Sequence, residues 1–101
     1  MTTLTLEVDP VIVGVTVTNE KLIVELEDGR SIAIPLEWYP RLLHGTVEER
    51  QNYQLLGDGY AIEWPELDEH IGIEGVLAGR RSSESRSSLE RWLGKRRVEQ
   101  Q

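Results

Sequence analysis

The sequence predicts a small α+β domain, and three observations lead to that prediction. Near the start, three short segments alternate apolar and polar residues, which is the period of a half-buried β-strand. Two Ser/Thr-x-x-Glu motifs follow later in the chain, and such motifs begin helices. The length of 101 residues suits one domain. We therefore expect a small antiparallel sheet, built as a three-stranded meander plus a later strand, with short helices and a C-terminal helical tail.

The first hairpin joins residues 11–18 to residues 21–27 through a two-residue turn at Asn19-Glu20. Residues that pair directly across a ladder share one face of the sheet, so the register can be tested against the apolar pattern. This turn places three apolar pairs on one face: Val17 with Leu22, Val15 with Val24, and Val13 with Leu26.

The second hairpin brings in residues 30–34. A two-residue turn at Asp28-Gly29 places Ile32 opposite Glu25 and breaks the apolar face. A three-residue loop with Gly29 in a left-handed bulge restores that face. The apolar pairs are then Val24 with Ile32 and Leu22 with Ile34. Pro35 has no N–H to donate, so it ends the strand.

The remaining elements of the domain are short. Residues 46–49 form a capping box, which predicts a helix over residues 47–53. Residues 60–64 alternate in character and indicate the later strand. Apolar residues at helical spacing predict a helix over residues 73–78, with Gly79 at its C-cap.

The chain divides into a domain over residues 1–80 and a tail over residues 81–101. Serine-rich residues 82–88 indicate a flexible linker, and a second capping box, Ser87-x-x-Glu90, predicts a basic amphipathic helix. The helix carries an apolar stripe of Leu89, Trp92 and Leu93. Because so short a helix is marginal alone in water, we expect the stripe to dock on its own domain, on a second copy as a homodimer, or on another protein.

Charge is distributed unevenly along the chain. Residues 1–79 carry 15 acidic and four basic residues, a net charge of −11, whereas residues 80–101 carry seven basic and three acidic residues, a net charge of +4. The acidic body repels a phosphate backbone, so we expect nucleic acid to interact with the tail or not at all. A solvated basic tail is the simpler interpretation.

Composition excludes several classes of protein. The chain has no cysteine, which removes disulfides, thiolate nucleophiles and zinc–thiolate sites. Its first residues lack the basic start and apolar run of a signal peptide. No apolar stretch approaches the roughly 20 residues of a membrane span. We therefore expect a cytoplasmic protein without membrane contact.

One acidic cluster resembles a chemical site. Its members are Asp58, Glu63, Glu66, Asp68, Glu69 and His70. The cluster could act as a carboxylate pair in acid–base catalysis or hold a divalent metal, but its spacing matches no known motif. We favour a simpler interpretation, in which Asp68 and Glu69 stabilise the start of the helix at Ile73 and the other members are solvated. Catalytic residues, metals and cofactors are therefore not expected.

An aromatic segment is the stronger binding candidate. Trp38, Tyr39 and Arg41 are residue types enriched at binding hot spots, although the aromatics could instead fill the core of a chain that lacks phenylalanine. The partner-binding candidates in the whole chain are Trp38, Tyr39, Arg41, Trp64, Asp68, Glu69, Leu89, Trp92 and Leu93.

Residues 28–42, 46–50, 64–69 and 84–93 together resemble the bacterial family called domain of unknown function 2442 (DUF2442). The resemblance implies an α+β domain that often accompanies a second small family, domain of unknown function 4160 (DUF4160). This association has suggested that the two families form a toxin–antitoxin-like pair. The chain departs from the family pattern at three positions, with Glu63 where many relatives have His, His70 where many have Asp, and Gly72 where many have Ser. These departures weaken the hypothesis that a residue of that strand acts as a catalytic base.

The function predicted from the sequence is a protein-binding accessory module, in the manner of the antitoxin half of a couple with a DUF4160-type protein. The acidic body could mask a basic toxin by charge complementarity. The alternative is weak nucleic-acid binding or autoregulation through the basic tail. An enzyme that uses the acidic cluster has the least support.

Overall fold

The structure, a computed structural model, describes residues 10–99, with side chains through Arg97. The strands are β1 (Ile12–Val17), β2 (Lys21–Leu26), β3 (Ser31–Pro35), β4 (Gln54–Leu56), β5 (Ala61–Trp64) and β6 (Glu69–Gly72). The helices are α1 (Pro40–Leu43), α2 (Val47–Gln51), α3 (Ile73–Leu77) and α4 (Arg86–Glu99), and a 3₁₀ turn over Leu36–Trp38 precedes α1.

The α+β class is confirmed, and the strands form two antiparallel sheets in the orders β1-β2-β3 and β4-β5-β6. The expected later strand is β5, which is the centre of the second sheet and not a fourth strand of the first. Its neighbours β4 and β6 have three and four residues, too few for an alternating pattern to stand out in the sequence. The sheets meet where the Ile12 N–H donates to the Gly59 carbonyl at 2.8 Å.

The first hairpin has the expected turn, and Val15 pairs with Val24. The expected pairing of Val13 with Leu26 is wrong, because a bulge between Ile12 and Gly14 brings Ile12 opposite Leu26 instead. Val13 is consequently 56% exposed and Ile12 is buried. The bulge places the larger of the two side chains in the core.

The second hairpin has the expected three-residue loop. Val24 pairs with Ile32 and Leu22 with Ile34, and Gly29 has φ +96°, which glycine adopts without steric cost. The strand ends at Pro35.

The helices of the domain follow their predicted caps. Thr46 Oγ1 accepts from the Glu49 N–H at 3.1 Å, while Glu49 Oε1 accepts from the Thr46 N–H at 2.8 Å. This capping box begins α2, which ends at Gln51 and is two residues shorter than expected. Gly72 is the N-cap of α3, and Gly79 has a left-handed φ of +74° just after it.

The core is one cluster of buried side chains from both sheets, the 3₁₀ turn, α1 and α3. Trp64, its largest fully buried member, donates from Nε1 to the Arg50 carbonyl at 2.9 Å. Among the described residues, no deeply buried side-chain nitrogen or oxygen lacks a hydrogen-bond partner. No helix within residues 10–99 has the length and apolar character to span a membrane.

The tail helix begins two residues earlier than expected. Ser85 Oγ accepts from the Ser88 N–H at 3.1 Å, so Ser85 caps α4 and the proposed cap Ser87 lies inside its first turn. With this register, the Ser88 hydroxyl donates to Glu84 Oε2 at 2.7 Å. The Ser87-x-x-Glu90 box is therefore wrong, and the tertiary contact of Glu84 favours the earlier start.

Candidate functional site

A cavity of about 220 Å³ lies beside β6 and is called the β6 cavity here. Its lining includes Tyr39, Glu69, His70, Gly72, Arg80 and Ser82. A second cavity of about 380 Å³, lined in part by Tyr60 and Ile73, shares Gly72 and Arg80 with the first. The two cavities therefore adjoin along the end of β6.

Glu69 enters the β6 cavity because of strand alternation. Side chains two residues apart in a strand lie on one face, and Ile71 is buried at 5% exposure, so Glu69 is carried to the inner face and is half-buried. The expectation that Asp68 and Glu69 lie at the start of a helix is wrong. Asp68 lies in the β5–β6 turn with φ +52°, Glu69 is the first residue of β6, and α3 begins only at Ile73.

The carboxylate of Glu69 has no hydrogen bond or ion pair with another described residue. Burial raises its pKa from 4.5 to about 7. The nearby Arg41 acts in the opposite direction, while the negative charges of Glu84 and Asp68 add to the increase. Glu69 thus lies at a point where the fold disfavours an uncompensated negative charge.

Replacing Glu69 with Gln is expected to stabilise the protein at neutral and alkaline pH. The carboxyl group titrates at 4.5 when unfolded and at about 7 when folded, so its contribution to stability is full below pH 4.5 and is lost as the pH rises through 7. Because Gln does not ionise, we expect equal stability near pH 4 and a gain of about 1–3 kcal/mol near pH 8, after allowing for solvent screening. Thermal unfolding across this pH range, with Glu37→Gln as the exposed control, measures the difference. A difference that stays flat with pH contradicts the assignment.

Residues 80–84 form a strap along the β6 cavity. Residues 86–88 of the expected linker belong to α4, and the flexibility of the linker stays a prediction. The Ser82 N–H donates to the Trp38 carbonyl at 3.0 Å, and the Arg81 guanidinium lies 4.6 Å from the centre of the Trp38 ring. The Tyr39 hydroxyl donates to the Arg80 carbonyl at 3.4 Å. Hydrogen bonds to the body, which composition does not reveal, hold this segment.

The tail helix packs on its own domain through five side chains, which we call the clasp. Arg41 binds Glu84 through two hydrogen bonds of 2.8 and 2.6 Å. Arg96 binds Glu49, the third helical residue in the capping box of α2, through bonds of 2.7 and 3.0 Å. The Trp92 ring packs against the core and has the Arg41 and Arg96 guanidiniums over it, at 5.0 and 4.6 Å from its centre. Each arginine of the clasp therefore has both a carboxylate and an aromatic ring as partners.

The acidic cluster of the sequence does not form one site. Glu63 accepts a hydrogen bond from Gln54 at 2.6 Å, and Glu66 accepts one from Asn52 at 3.1 Å. Asp58 lies in the β4–β5 turn. Across residues 10–99, no three His, Asp or Glu side chains converge closely enough to hold a metal ion together.

The candidate binding residues divide between interior and surface. Tyr39 and Trp64 are buried in the core, at 4% and 0% exposure, and Tyr39 also lines the β6 cavity. Trp38 is half-buried under Arg81. Leu89 and Leu93 of the tail stripe are half-buried. Homodimer formation through the tail stays a prediction.

Sequence reasoning missed the strap and the carboxylates of the clasp. Alternation around Ile71 could have placed Glu69 on the inner face, had β6 been recognised. By contrast, Arg41 and Glu84 are 43 residues apart, and Glu49 and Arg96 are 47 apart, so no local pattern links them.

Comparisons with known proteins agree with this fold. A family model described as "Protein of unknown function (DUF2442)" matches residues 12–82. A crystal structure of a protein of unknown function from Rhodospirillum rubrum is similar, with 24% identity, a TM-score of 0.64, and coverage of 75% of this chain and 94% of that one. The solution structure of an uncharacterised protein from Chromobacterium violaceum has 19% identity and a TM-score of 0.62, with coverage of 72% and 69%. No curated protein matches the chain.

Proposed function

The chain belongs to the DUF2442 family of proteins of unknown function, and we propose that it is a small accessory module that binds another protein and is not an enzyme. The observation that carries the proposal is the outer edge of β6, which no other described strand covers and which borders two adjoining cavities. An exposed strand edge is a ready template for an added strand. The proposed partner is a small protein of the DUF4160 type in an antitoxin-like couple, and the proposed setting is the cytoplasm.

The main-chain groups of this edge follow from the ladder. Hydrogen bonds alternate along an antiparallel pair, and the Ile73 N–H donates to the Tyr60 carbonyl at 2.9 Å. In the observed register, the N–H and C=O of His70 and the N–H of Gly72 therefore point away from β5. Within residues 10–99, no other backbone group is hydrogen-bonded to them. These three groups are available to an extended segment of a partner.

The tail is a weaker candidate for the partner surface. Its aromatic residue, Trp92, lies under two guanidiniums and packs against the core. The apolar stripe that made the tail attractive as a docking helix is therefore largely occupied within the same chain. This occupation supports the β6 edge as the binding surface.

Blocking the edge is expected to abolish partner capture. In His70→Pro, the outward N–H is removed at an edge position, where proline is tolerated. Ala33→Pro is the matched control, because the N–H of Ala33 points outward from β3, an edge of the other sheet. We expect wild type and Ala33→Pro to recover the same protein at fixed stoichiometry from a nuclease-treated lysate of the native host, and His70→Pro to lose it. Circular dichroism and thermal unfolding check that both variants fold.

The opposite results are equally clear. Equal recovery by all three proteins places the partner elsewhere and contradicts the edge. Recovery of nucleic acid, but no protein, from an untreated lysate favours the second candidate function, weak nucleic-acid binding through the tail. That candidate rests on the exposed basic residues of α4, which are Arg86, Arg91, Lys95 and Arg97.

A further inference from the structure

The β6 cavity contains a carboxyl group, that of Glu69, for which no described residue provides an ion-pair partner. Glu69 has no ion pair with another described residue, although Arg41 is near enough to influence it. Arg41 is instead bound to Glu84 at 2.6 Å, and its weaker contact with Asp68 is 3.5 Å. A cationic group that enters the cavity would give Glu69 a counter-ion that none of the described residues supplies.

The register of an added strand determines which residue reaches Glu69. Residues directly opposite each other in a ladder have side chains on the same face. The residue opposite Glu69 therefore extends towards the β6 cavity. The residue two positions away lies opposite Ile71, whose side chain belongs to the buried core. One ladder thus presents an acidic position and an apolar position about 7 Å apart.

From this arrangement we propose that the segment bound at the β6 edge is an extended strand with an arginine or lysine opposite Glu69 and an apolar residue opposite Ile71. This inference rests on the proposed function and specifies the chemistry of the partner. The N–H and C=O of His70 pair with the backbone of the added strand, which fixes its register. The net charge of −11 over residues 1–79 also attracts a basic segment.

The strap limits which cation can enter. Arg80 and Arg81 also line the β6 cavity, and Arg81 is held on the Trp38 ring. These positive charges repel a small free cation. A long basic side chain is different, because the main-chain bonds of its own strand hold it while its flexible stem reaches the carboxylate. The structure therefore favours a basic residue within a strand over a free amine.

The test uses a peptide probe and the full chain. The probe is acetyl-Thr-Val-Thr-Arg-Thr-amide, in which an apolar and a basic residue are two positions apart. Its controls are the same peptide with glutamate in place of arginine, and free arginine amide. Backbone amide shifts measured by NMR during titration report the site and the affinity. We expect the largest shifts at His70 and Gly72, and an affinity about tenfold lower for Glu69→Gln than for the exposed control Glu37→Gln.

Several outcomes overturn the inference. They are equal binding of the arginine and glutamate peptides, equal affinity of the two protein variants, shifts that map away from β6, and tighter binding of arginine amide than of the peptide. If the captured partner is lost in His70→Pro but unaffected by Glu69→Gln, the inference fails while the proposed function stands. If the peptide binds as expected but no protein is captured, the chemistry of the edge is supported while the proposed function fails.

Discussion

Replacing Trp64 with alanine is expected to reduce the free energy of unfolding by about 3–5 kcal/mol, the range for deletion of a large aromatic side chain from a core. The ring is fully buried, at 0% exposure, and Tyr53 packs beside it with ring centres 6.4 Å apart. The variant also leaves the Arg50 carbonyl without the 2.9 Å hydrogen bond from the indole. Because small domains are stabilised by only about 5–15 kcal/mol, much of the chain should be unfolded at moderate temperature.

Two further variants separate the contributions of the Trp64 ring. Trp64→Phe keeps most of the apolar volume but removes the N–H, and we expect an intermediate loss of about 1–3 kcal/mol. Trp38→Ala, at a half-buried surface position, should cost less than either. Urea unfolding midpoints at constant slope measure all three. An unchanged midpoint for Trp64→Ala, together with lost partner binding, would indicate that Trp64 contacts the partner and would contradict its role in the core.

Replacing Arg41 with methionine is expected to reduce stability by about 2–4 kcal/mol, because it leaves the Glu84 carboxylate buried without its partner. The Arg41 and Glu84 side chains are only 15% and 9% exposed. The variant also removes the cation from over the Trp92 ring and the 3.3 Å bond to the Leu67 carbonyl. We expect α4 to detach locally, so limited proteolysis in the tail should accelerate before global unfolding.

A double variant tests the cause of this loss. Arg41→Met with Glu84→Met removes both charges and should recover part of the lost stability, whereas loss of packing alone predicts no recovery. Arg30→Met is the surface control, since its partner Asp28 is 51% exposed, and we expect no measurable change. The absence of recovery in the double variant contradicts the buried-charge explanation.

The clasp should also respond to acid. Arg41 lowers the pKa of Glu84, and Arg96 lowers that of Glu49, below their ordinary value of 4.5. Their contribution to stability is therefore present above pH 4.5 and is lost as the pH falls through the folded pKa values. The carboxylates of the clasp therefore lose stability as the pH falls, whereas the Glu69 carboxyl loses it as the pH rises. Together the two effects place the most stable pH between the two regions.

The candidate site was only partly predictable from the sequence. The sequence indicates Tyr39 and Glu69 as candidate binding residues, but only the strap and β6 bring them to one cavity. The spacing of Glu69 from Ile71 is that of two residues on one face of a strand. Because a four-residue strand resembles a loop in sequence, the local pattern instead favours a role for Glu69 at a helix start. Ser82 and Arg80 carry no signal in the sequence, because both contact the body through main-chain atoms: the Ser82 N–H donates to the Trp38 carbonyl, and the Arg80 carbonyl accepts from the Tyr39 hydroxyl.

The sequence by itself determined the features whose physics is local. Loop length and alternation set the register of the hairpins, and Thr46 with Glu49 set the start of α2, because the interacting residues are close along the chain. The tertiary structure decided where an interaction joins distant residues. It selected the bulge that buries Ile12, the second sheet around β5, the start of α4 at Arg86 and the clasp that holds it. In each case the local sequence does not specify the conformation, and burial or ion pairing with a remote segment decides it.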